Sequence, residues 1–75
     1  MRLKDLREDN DLYQQDIAKI LKTTQQQYSK YENEIRDIPI HHLIKLAKFY
    51  NTSIDYIVGI TNKKEPYERI KDIKC

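Results

Sequence analysis

Apolar residues recur at intervals of three and four along most of this 75-residue chain, and this spacing constrains its fold more than any other feature. Residues three or four apart lie on one face of an α-helix, whereas a strand turns every second residue to the same side. Alternation of the second kind is confined to the short segment IRDIPI. The stripes that predict helices are Leu3 and Leu6; Ile17, Ala18 and Leu21; Tyr28 and Tyr31; Leu43, Leu46, Ala47 and Tyr50; and Ile54, Ile57 and Val58. The chain is therefore predicted to be all-α, with five short helices.

Polar and turn-prone residues separate these stripes at NDLY, KTT, ENEIRDIP and NTS. Pro39 is expected at the first position of the fourth helix, where its missing N–H costs nothing. Thr52 or Ser53 can cap the fifth helix, and Gly59 is placed to end it in a left-handed conformation. The connections are a few residues long, as expected between packed helices.

The helical pattern ends at Gly59, which divides the chain into a domain at residues 1–59 and a charged tail at residues 60–75. Pro66 could begin a further short helix that carries Tyr67, Ile70 and Ile73. The sequence leaves open whether that helix forms, because it would have little to pack against in a monomer.

Size and composition exclude several classes of function. A chain of 75 residues is too short for an elaborate catalytic cleft, and its single glycine rules out a phosphate-binding glycine loop. The sequence has no set of nucleophile, histidine and carboxylate at the spacing of a catalytic triad. The protein is therefore not expected to be an enzyme, and no cofactor is implied. The only cysteine, Cys75, excludes an internal disulfide framework. His41 and His42 point about 100° apart on a helix, without acidic or cysteine partners, so no metal site is expected.

The chain shows neither an export signal nor a membrane anchor, since no apolar run approaches the roughly 18 residues of a spanning helix. A cytoplasmic protein without membrane contact is expected. The formal net charge of +2 is too small to indicate a polyanionic partner by itself.

The stretch TTQQQYSKYEN, Thr23 to Asn33, places three glutamines at the start of the third helix. Thr24 and Gln27 fit a capping box, in which the Thr24 hydroxyl accepts from the Gln27 N–H and the Gln27 side chain returns a bond. Opposite the core side lies a polar stripe with a single charge; it consists of Gln26, Ser29, Lys30 and Asn33, with Gln25 beside them. Side-chain amides can pair bidentately with N6 and N7 of adenine. Taken alone, the stripe could also be a solvated helix face without a partner.

Three segments together form a more specific pattern: LKDLREDNDLY, QQDIAKILKTTQQQYSKYEN and HHLIKLAKFYNTSIDYIVG. The pattern includes Gln14 at the start of the second helix and the sequence Tyr31-Glu32-Asn33. Over roughly residues 2–59 it closely resembles the XRE family of helix-turn-helix DNA-binding domains, to which lambdoid phage repressors and Cro proteins belong. The resemblance implies a lambda-repressor-like fold whose recognition helix, at about residues 25–32, lies in the major groove.

The resemblance also implies a role for individual residues. The positions that match base contacts are Gln25, Gln26 and Lys30. The positions that match phosphate contacts are Gln14, Thr24, Gln27, Asn33 and the backbone around Arg36. Arg7 and Glu32 match an internal ion pair that ties the first helix to the end of the recognition helix, although two independent surface charges are the alternative. A dimer surface is expected around the fifth helix, at Tyr56, Ile57, Ile60 and the tail from Tyr67 to Ile73.

Several positions depart from the family pattern. Asp11, Lys22 and Glu34 stand where relatives often carry glycine, and Lys22 occupies the turn of the motif, where a left-handed backbone costs a side chain roughly 1 kcal/mol. Tyr13 replaces the usual Ser or Thr cap of the second helix, which forgoes about 1 kcal/mol of capping.

The expected function is that of a sequence-specific regulator of transcription, a repressor that binds double-stranded DNA as a homodimer. The fold also fits a protein-interaction module whose partner is a toxin or an antirepressor. Single-stranded nucleic acid is disfavoured, because most of the six tyrosines fall on core stripes.

Overall fold

Five α-helices and no strand make up the computed structural model, which describes residues 1–66. The helices are α1 (Leu3–Asp9), α2 (Gln14–Leu21), α3 (Gln25–Glu32), α4 (Ile40–Phe49) and α5 (Ile54–Val58). The prediction of an all-α chain with five helices is confirmed. The expected tail helix with Tyr67, Ile70 and Ile73 lies outside the described residues.

The core is formed by the predicted apolar stripes. Every helix contributes at least one buried residue, and Ile38, in the connection between α3 and α4, joins them. Tyr28, Ile17 and Leu46 are fully buried at its centre. Because full burial of a large apolar side chain contributes about 1.5–3 kcal/mol, these residues hold short helices that would be marginal alone.

The ends of α4 and α5 differ in detail from the expectation. Pro39 precedes the first helical residue and has an extended backbone, so it is the N-cap of α4 and not its first position. Ser53, and not Thr52, caps α5, since its Oγ accepts a hydrogen bond from the Tyr56 N–H at 3.1 Å. Gly59 ends α5 in the left-handed conformation, with a φ of 92°, as predicted.

Four residues with side chains adopt a left-handed backbone: Asp11 (φ 56°), Lys22 (φ 57°), Glu34 (φ 58°) and Asn51 (φ 53°). The first three are the positions at which the resemblance often places glycine. Asn51 was not singled out from the sequence, although asparagine enters this region more readily than most residues. Each of these residues lies one or two positions after the end of a helix. The left-handed backbone turns the chain sharply there, at some cost in backbone strain.

Arg2 fastens the start of the chain to the segment after α5. Its guanidinium donates to the Thr61 carbonyl at 2.8 Å and to Asn62 Oδ1 at 2.6 Å, and it also bonds the Tyr56 carbonyl. The guanidinium carbon lies 4.3 Å from the centre of the Tyr56 ring, within range of a cation–π contact. The Arg2 N–H donates to the Ile57 carbonyl at 2.7 Å. These contacts fix the direction in which the chain leaves α5.

Within residues 1–66, the helices are too short and too polar to cross a bilayer.

Candidate nucleic-acid interface

The two helices of the motif, α2 and α3, are joined by a tight turn at Lys22, Thr23 and Thr24. Lys22 has φ 57° and ψ 44°, and this left-handed step turns the chain out of α2. The Thr23 N–H then donates back to the Ala18 carbonyl at 2.9 Å. The turn therefore satisfies the last carbonyls of α2 and fixes the angle at which α3 begins.

Thr24 caps α3, since its Oγ1 accepts a hydrogen bond from the Gln27 N–H at 3.1 Å. The return half of the predicted capping box is absent, because Gln27 Nε2 instead donates to the Tyr31 hydroxyl at 3.1 Å. An amide can reach a side chain one turn further along the same helix face, and Tyr31 itself is buried in the core. Gln27 therefore bonds across one turn of α3.

Gln25, Gln26 and Lys30 are exposed on the outer face of α3. Their side chains form no hydrogen bond or ion pair with any residue in the described range 1–66. Ser29 lies between them, and Asn33 Nδ2 donates to the Ser29 carbonyl at 3.0 Å and to its Oγ at 3.2 Å. The face therefore presents two unpaired amides and one unpaired ammonium group to a partner.

A shallow depression runs between the start of α2 and the outer face of α3. It is lined by Gln14, Gln25, Gln26, Ser29 and Lys30. A second depression adjoins it and is lined by Arg7, Tyr13, Gln14, Gln15 and Gln25. Tyr13 and Gln15, which lie on either side of Gln14, were not among the predicted contacts. The structure thus brings the start of α2 and the first turn of α3 together along one surface.

Arg7 and Glu32 form a bidentate ion pair below this surface. Arg7 Nε lies 2.6 Å from Glu32 Oε2 and Arg7 Nη2 lies 3.2 Å from Oε1. The side chain of Glu32 is 2% exposed and that of Arg7 is 12% exposed. Arg7 also donates to the Leu12 carbonyl at 2.9 Å. Because Glu32 is the last residue of α3, the pair ties that end of the helix to α1 and to the loop before α2.

Gln14 takes part in the same network, since its Nε2 donates to Glu32 Oε1 at 3.2 Å. Burial alone would raise the pKa of Glu32, but the hydrogen bonds from Arg7 and Gln14 outweigh it, so this pKa lies below its ordinary value. The hydrogen bond to Glu32 raises the pKa of Arg7. The pair is therefore fully ionised near neutral pH.

Two tyrosine hydroxyls lie buried near this pair. Those of Tyr28 and Tyr50 have no hydrogen-bond partner within residues 1–66. Burial, together with the nearby Glu32 carboxylate, raises the pKa of Tyr28 and raises that of Tyr50 to about 12. The ion pair thus lies among buried groups and away from water, which strengthens its attraction and raises the cost of breaking it.

The residues predicted to contact phosphates differ in their exposure and in whether their polar groups are already hydrogen-bonded. Thr24 and Arg36 are exposed, and the Arg36 side chain has no partner in the described part of the chain. The backbone N–H groups of Ile35 and Arg36 both donate to the Lys30 carbonyl, at 2.9 and 3.3 Å. Those two amides are therefore occupied, which leaves the Arg36 guanidinium as the available donor.

The expected dimer surface needs one correction. Ile57 is 0% exposed and packs in the core, so it cannot contact a second copy while the domain is folded. Apolar residues spaced by three or four mark one face of a helix, but the spacing does not show whether a neighbouring helix covers that face. Here α4 and the other helices cover Ile57. Ile60 is 76% exposed, and Tyr56 is partly covered by Arg2.

The histidine pair lies on α4, next to α3. The rings of His41 and His42 are 4.2 Å apart, and His42 is 6.0 Å from the Tyr31 ring. Burial, and then the neighbouring His41 and Lys45, lower the pKa of His42. Among residues 1–66, no group of three or more histidines, cysteines and carboxylates is placed to hold a metal ion.

Comparison with known proteins places these features in a family. A family model described as helix-turn-helix matches residues 3–57. The chain is 33% identical over 73 residues to the uncharacterized HTH-type transcriptional regulator YobD of Bacillus subtilis (strain 168), an alignment that covers 97% of this chain and 65% of that protein. It is 36% identical over 58 residues to the HTH-type transcriptional regulator ImmR of the same organism, covering 77% of this chain and 46% of ImmR. The chain thus spans about half to two thirds of the length of these relatives. No solved structure gives a significant match.

Proposed function

Because the chain belongs to the helix-turn-helix family, of the XRE type similar to lambda repressor, we propose that it binds double-stranded DNA in a sequence-specific manner and represses transcription. Both relatives are named as regulators of transcription and not as enzymes. The observation that carries the proposal is the outer face of α3, where Gln25, Gln26 and Lys30 are exposed and unpaired on a helix anchored at both ends.

The chemistry of this face fits the edges of base pairs. Gln25 and Gln26 each carry a donor and an acceptor on one planar group, as needed to pair with N6 and N7 of adenine. Lys30 lies one turn further along and would donate to O6 or N7 of guanine, or to a phosphate. An amide that is already bonded within the protein would lose that bond on contacting a base, but these amides have none to lose.

Phosphate contacts would come from the two sides of this face. Gln14 and Thr24 lie at the starts of α2 and α3, where free N–H groups and the helix dipole favour an anion. Asn33 and Arg36 lie beyond the end of α3 and would hold the backbone on the other side. Gln27 was also expected in this set. The side-chain nitrogens of Gln14, Gln27 and Asn33 already donate to Glu32, Tyr31 and Ser29, so each of these bonds would have to be exchanged for one to the phosphate.

The ion pair of Arg7 and Glu32 would act by orienting α3. Base contacts are formed only if the helix is held at a fixed depth and angle, and the pair fixes the end of α3 opposite to the Thr24 cap. Gln14 connects the ion pair to the proposed phosphate contacts, since it bonds Glu32 and also lines the outer depression. A phosphate bound at the start of α2 would therefore be coupled to the position of α3.

A two-fold dimer would place one α3 in each of two successive major grooves, about 34 Å apart. Tyr56 and Ile60 are the proposed contact surface, since Ile60 is an exposed apolar residue directly after α5. A dimer bound over a promoter would exclude other proteins from the same DNA, which is the simplest basis for repression.

Selection from a random duplex library with the full chain tests the proposal. The expected result is an enriched sequence with two related half-sites whose centres are about 10 base pairs apart. Recovery without any enriched sequence would contradict the proposal.

The dependence of binding on salt supplies a second test. Each phosphate that is neutralised contributes about 0.9 to the slope of log affinity against log salt concentration. Lys30→Ala should change either this slope or the preferred sequence, whereas Lys48→Ala, an exposed lysine on α4, should change neither. Tight association with a protein partner, together with DNA binding that is weak and insensitive to salt, would favour a protein-interaction module instead.

A further inference from the structure

Ser29 lies at the centre of the outer face of α3 and has no role in the function proposed above. Its side chain is half-buried, and it lines the shallow depression between α2 and α3 together with Gln14, Gln25, Gln26 and Lys30. Since it follows Gln25 by four residues and Gln26 by three, these side chains share one side of the helix. A polar group at this point faces whatever occupies the depression.

Asn33, the C-cap of α3, contacts Ser29 through its side chain. Asn33 Nδ2 lies 3.0 Å from the Ser29 carbonyl oxygen and 3.2 Å from Ser29 Oγ. A carbonyl oxygen only accepts hydrogen bonds, so the Asn33 atom beside it has to be the amide nitrogen and not the amide oxygen. The backbone of Ser29 therefore fixes which way the Asn33 amide points.

The orientation of the Asn33 amide determines what the Ser29 hydroxyl can do. An amide nitrogen donates, so Ser29 Oγ has to be the acceptor in the 3.2 Å contact, and the hydroxyl hydrogen is left for another partner. A serine in a helix can donate to the carbonyl four residues earlier, which here is that of Gln25, but these two described residues form no such bond. Among residues 1–66 the Ser29 hydroxyl hydrogen has no acceptor.

This unpaired hydrogen favours bases that offer an acceptor. In the major groove the acceptors are N7 and O6 of guanine, N7 of adenine and O4 of thymine, whereas cytosine offers only its amino group, which is a donor. A cytosine beside Ser29 would leave the hydroxyl hydrogen without an acceptor where water is excluded, and an unsatisfied donor there is unfavourable. Ser29 is therefore suited to discriminate against cytosine at one position.

We propose that Ser29 helps to select the bound sequence by donating a hydrogen bond to a base in the major groove, and that Asn33 is a positioning residue which holds the Ser29 hydroxyl for this contact. This role rests on the proposed function and narrows it. Asn33 keeps its bonds to Ser29 and leaves the phosphate contact beyond α3 to Arg36. Asn33 thus acts on the sequence preference without touching the DNA.

The test uses the duplex that the full chain selects and the set of its single-base-pair substitutions. Ser29→Ala should reduce the discrimination against cytosine at one base pair by about 3- to 10-fold, the value of one net hydrogen bond, and leave the other preferences unchanged. Asn33→Ala should weaken the preference at the same base pair, because the hydroxyl is then free to turn to the Gln25 carbonyl. The double variant should lose no more than Ser29→Ala alone.

Asn10→Ala is the matched control. Asn10 is the C-cap of α1, and its Nδ2 donates to the Leu6 carbonyl, four residues earlier, at 2.7 Å. Its replacement therefore removes the same kind of bond at the end of a helix other than α3. Asn10→Ala should leave every base preference unchanged.

Three results would overturn the inference. A uniform loss of affinity on all duplexes for Asn33→Ala would show that Asn33 contacts a phosphate. Additive losses in the double variant would show that the two residues act separately, and unchanged preferences for Ser29→Ala would show that its hydroxyl does not contact a base. In each of these cases the full chain still selects a sequence, so the proposed function stands. Selection of no sequence by the full chain would overturn the proposed function and the role of Ser29 with it.

Discussion

Replacement of Arg7 by methionine should remove a large part of the stability of this protein. Methionine keeps much of the length of the side chain but leaves the Glu32 carboxylate without its bidentate partner. The 2.6 and 3.2 Å contacts from Arg7 are lost, and only the Gln14 amide, at 3.2 Å, continues to bond the carboxylate. With 2% of the Glu32 side chain exposed, water cannot replace the missing charge.

The expected loss is on the order of 3–5 kcal/mol, the range observed when one partner of a buried pair is removed. A domain of 75 residues is expected to have a free energy of unfolding of about 4–11 kcal/mol in total. The single variant would thus lose about half of its stability. The double variant Arg7→Met, Glu32→Leu should recover most of the loss, because it removes both charges and leaves an apolar contact. Recovery would be incomplete by about 1 kcal/mol, since the Leu12 carbonyl also loses its donor.

The assay is urea unfolding followed by circular dichroism, with a protecting osmolyte in all samples so that the single variant keeps a measurable transition. Arg36→Met is the matched control, since Arg36 is exposed and unpaired in the described chain, and it should change the unfolding free energy by less than about 0.5 kcal/mol.

The dependence of the unfolding free energy on pH tests the same prediction independently. In the unsubstituted chain the pKa of Glu32 lies below its ordinary value of 4.5, so the pair stabilises the fold fully above that pH and loses its contribution as the pH falls through the lowered pKa. In Arg7→Met, burial without the cation should instead raise this pKa, and the carboxylate destabilises the fold increasingly as the pH rises. The difference between the two proteins should therefore be largest at neutral pH and shrink towards pH 4. A difference that is constant with pH, or a double variant as unstable as the single one, would refute the reasoning.

Three further changes test other parts of the structure. Lys22→Gly should raise the unfolding free energy by up to about 1 kcal/mol, because glycine relieves the left-handed strain, whereas Lys22→Ala should give no gain. Thr24→Ala should lower it by about 1 kcal/mol and Thr24→Ser by much less, as judged by urea unfolding; equal losses would mean that the cap bond is unimportant. Ile57→Ala should lower the unfolding free energy by about 2–5 kcal/mol, because Ile57 is buried. Ile60→Ser should leave the unfolding free energy unchanged and weaken self-association in sedimentation, and the reverse pattern would contradict the placement of the two residues.

The sequence predicted the helices well because their apolar stripes are regular. Each stripe repeats at three or four residues, and the positions between stripes hold turn-prone residues, so the helices and the identity of the core residues follow from periodicity. The left-handed turn at Lys22 was also predictable, because the resemblance places glycine there and a tight turn between helices requires that conformation.

Side-chain partners were harder to predict. The Gln27 side chain could have accepted from the Thr24 N–H through its oxygen or donated to the Tyr31 hydroxyl through its nitrogen. Nothing local decides between these two partners, because both are in reach. The Gln14 side chain could have pointed to solvent or inward. That it bonds Glu32 depends on how α2 packs against α3. The burial of Ile57 depends in the same way on how α5 sits against the rest of the core.

The contacts of Arg2 could not have been predicted from the sequence at all. They join residues that are 54 to 60 positions apart, and a single basic residue near the start of a chain has no local pattern that indicates a distant partner. Long-range contacts of this kind depend on the final fold and become visible only in the structure.

The most direct test of the account is the ratio of affinities for the selected duplex and for a shuffled duplex of equal length, measured for the unsubstituted chain and for Gln25→Ala and Gln26→Ala. If these amides pair with bases, at least one substitution should lower the ratio by about 5- to 150-fold while binding to the shuffled duplex stays nearly constant. If both substitutions weaken binding to the two duplexes equally, or not at all, the outer face of α3 does not contact base edges and the proposed function of this surface is wrong.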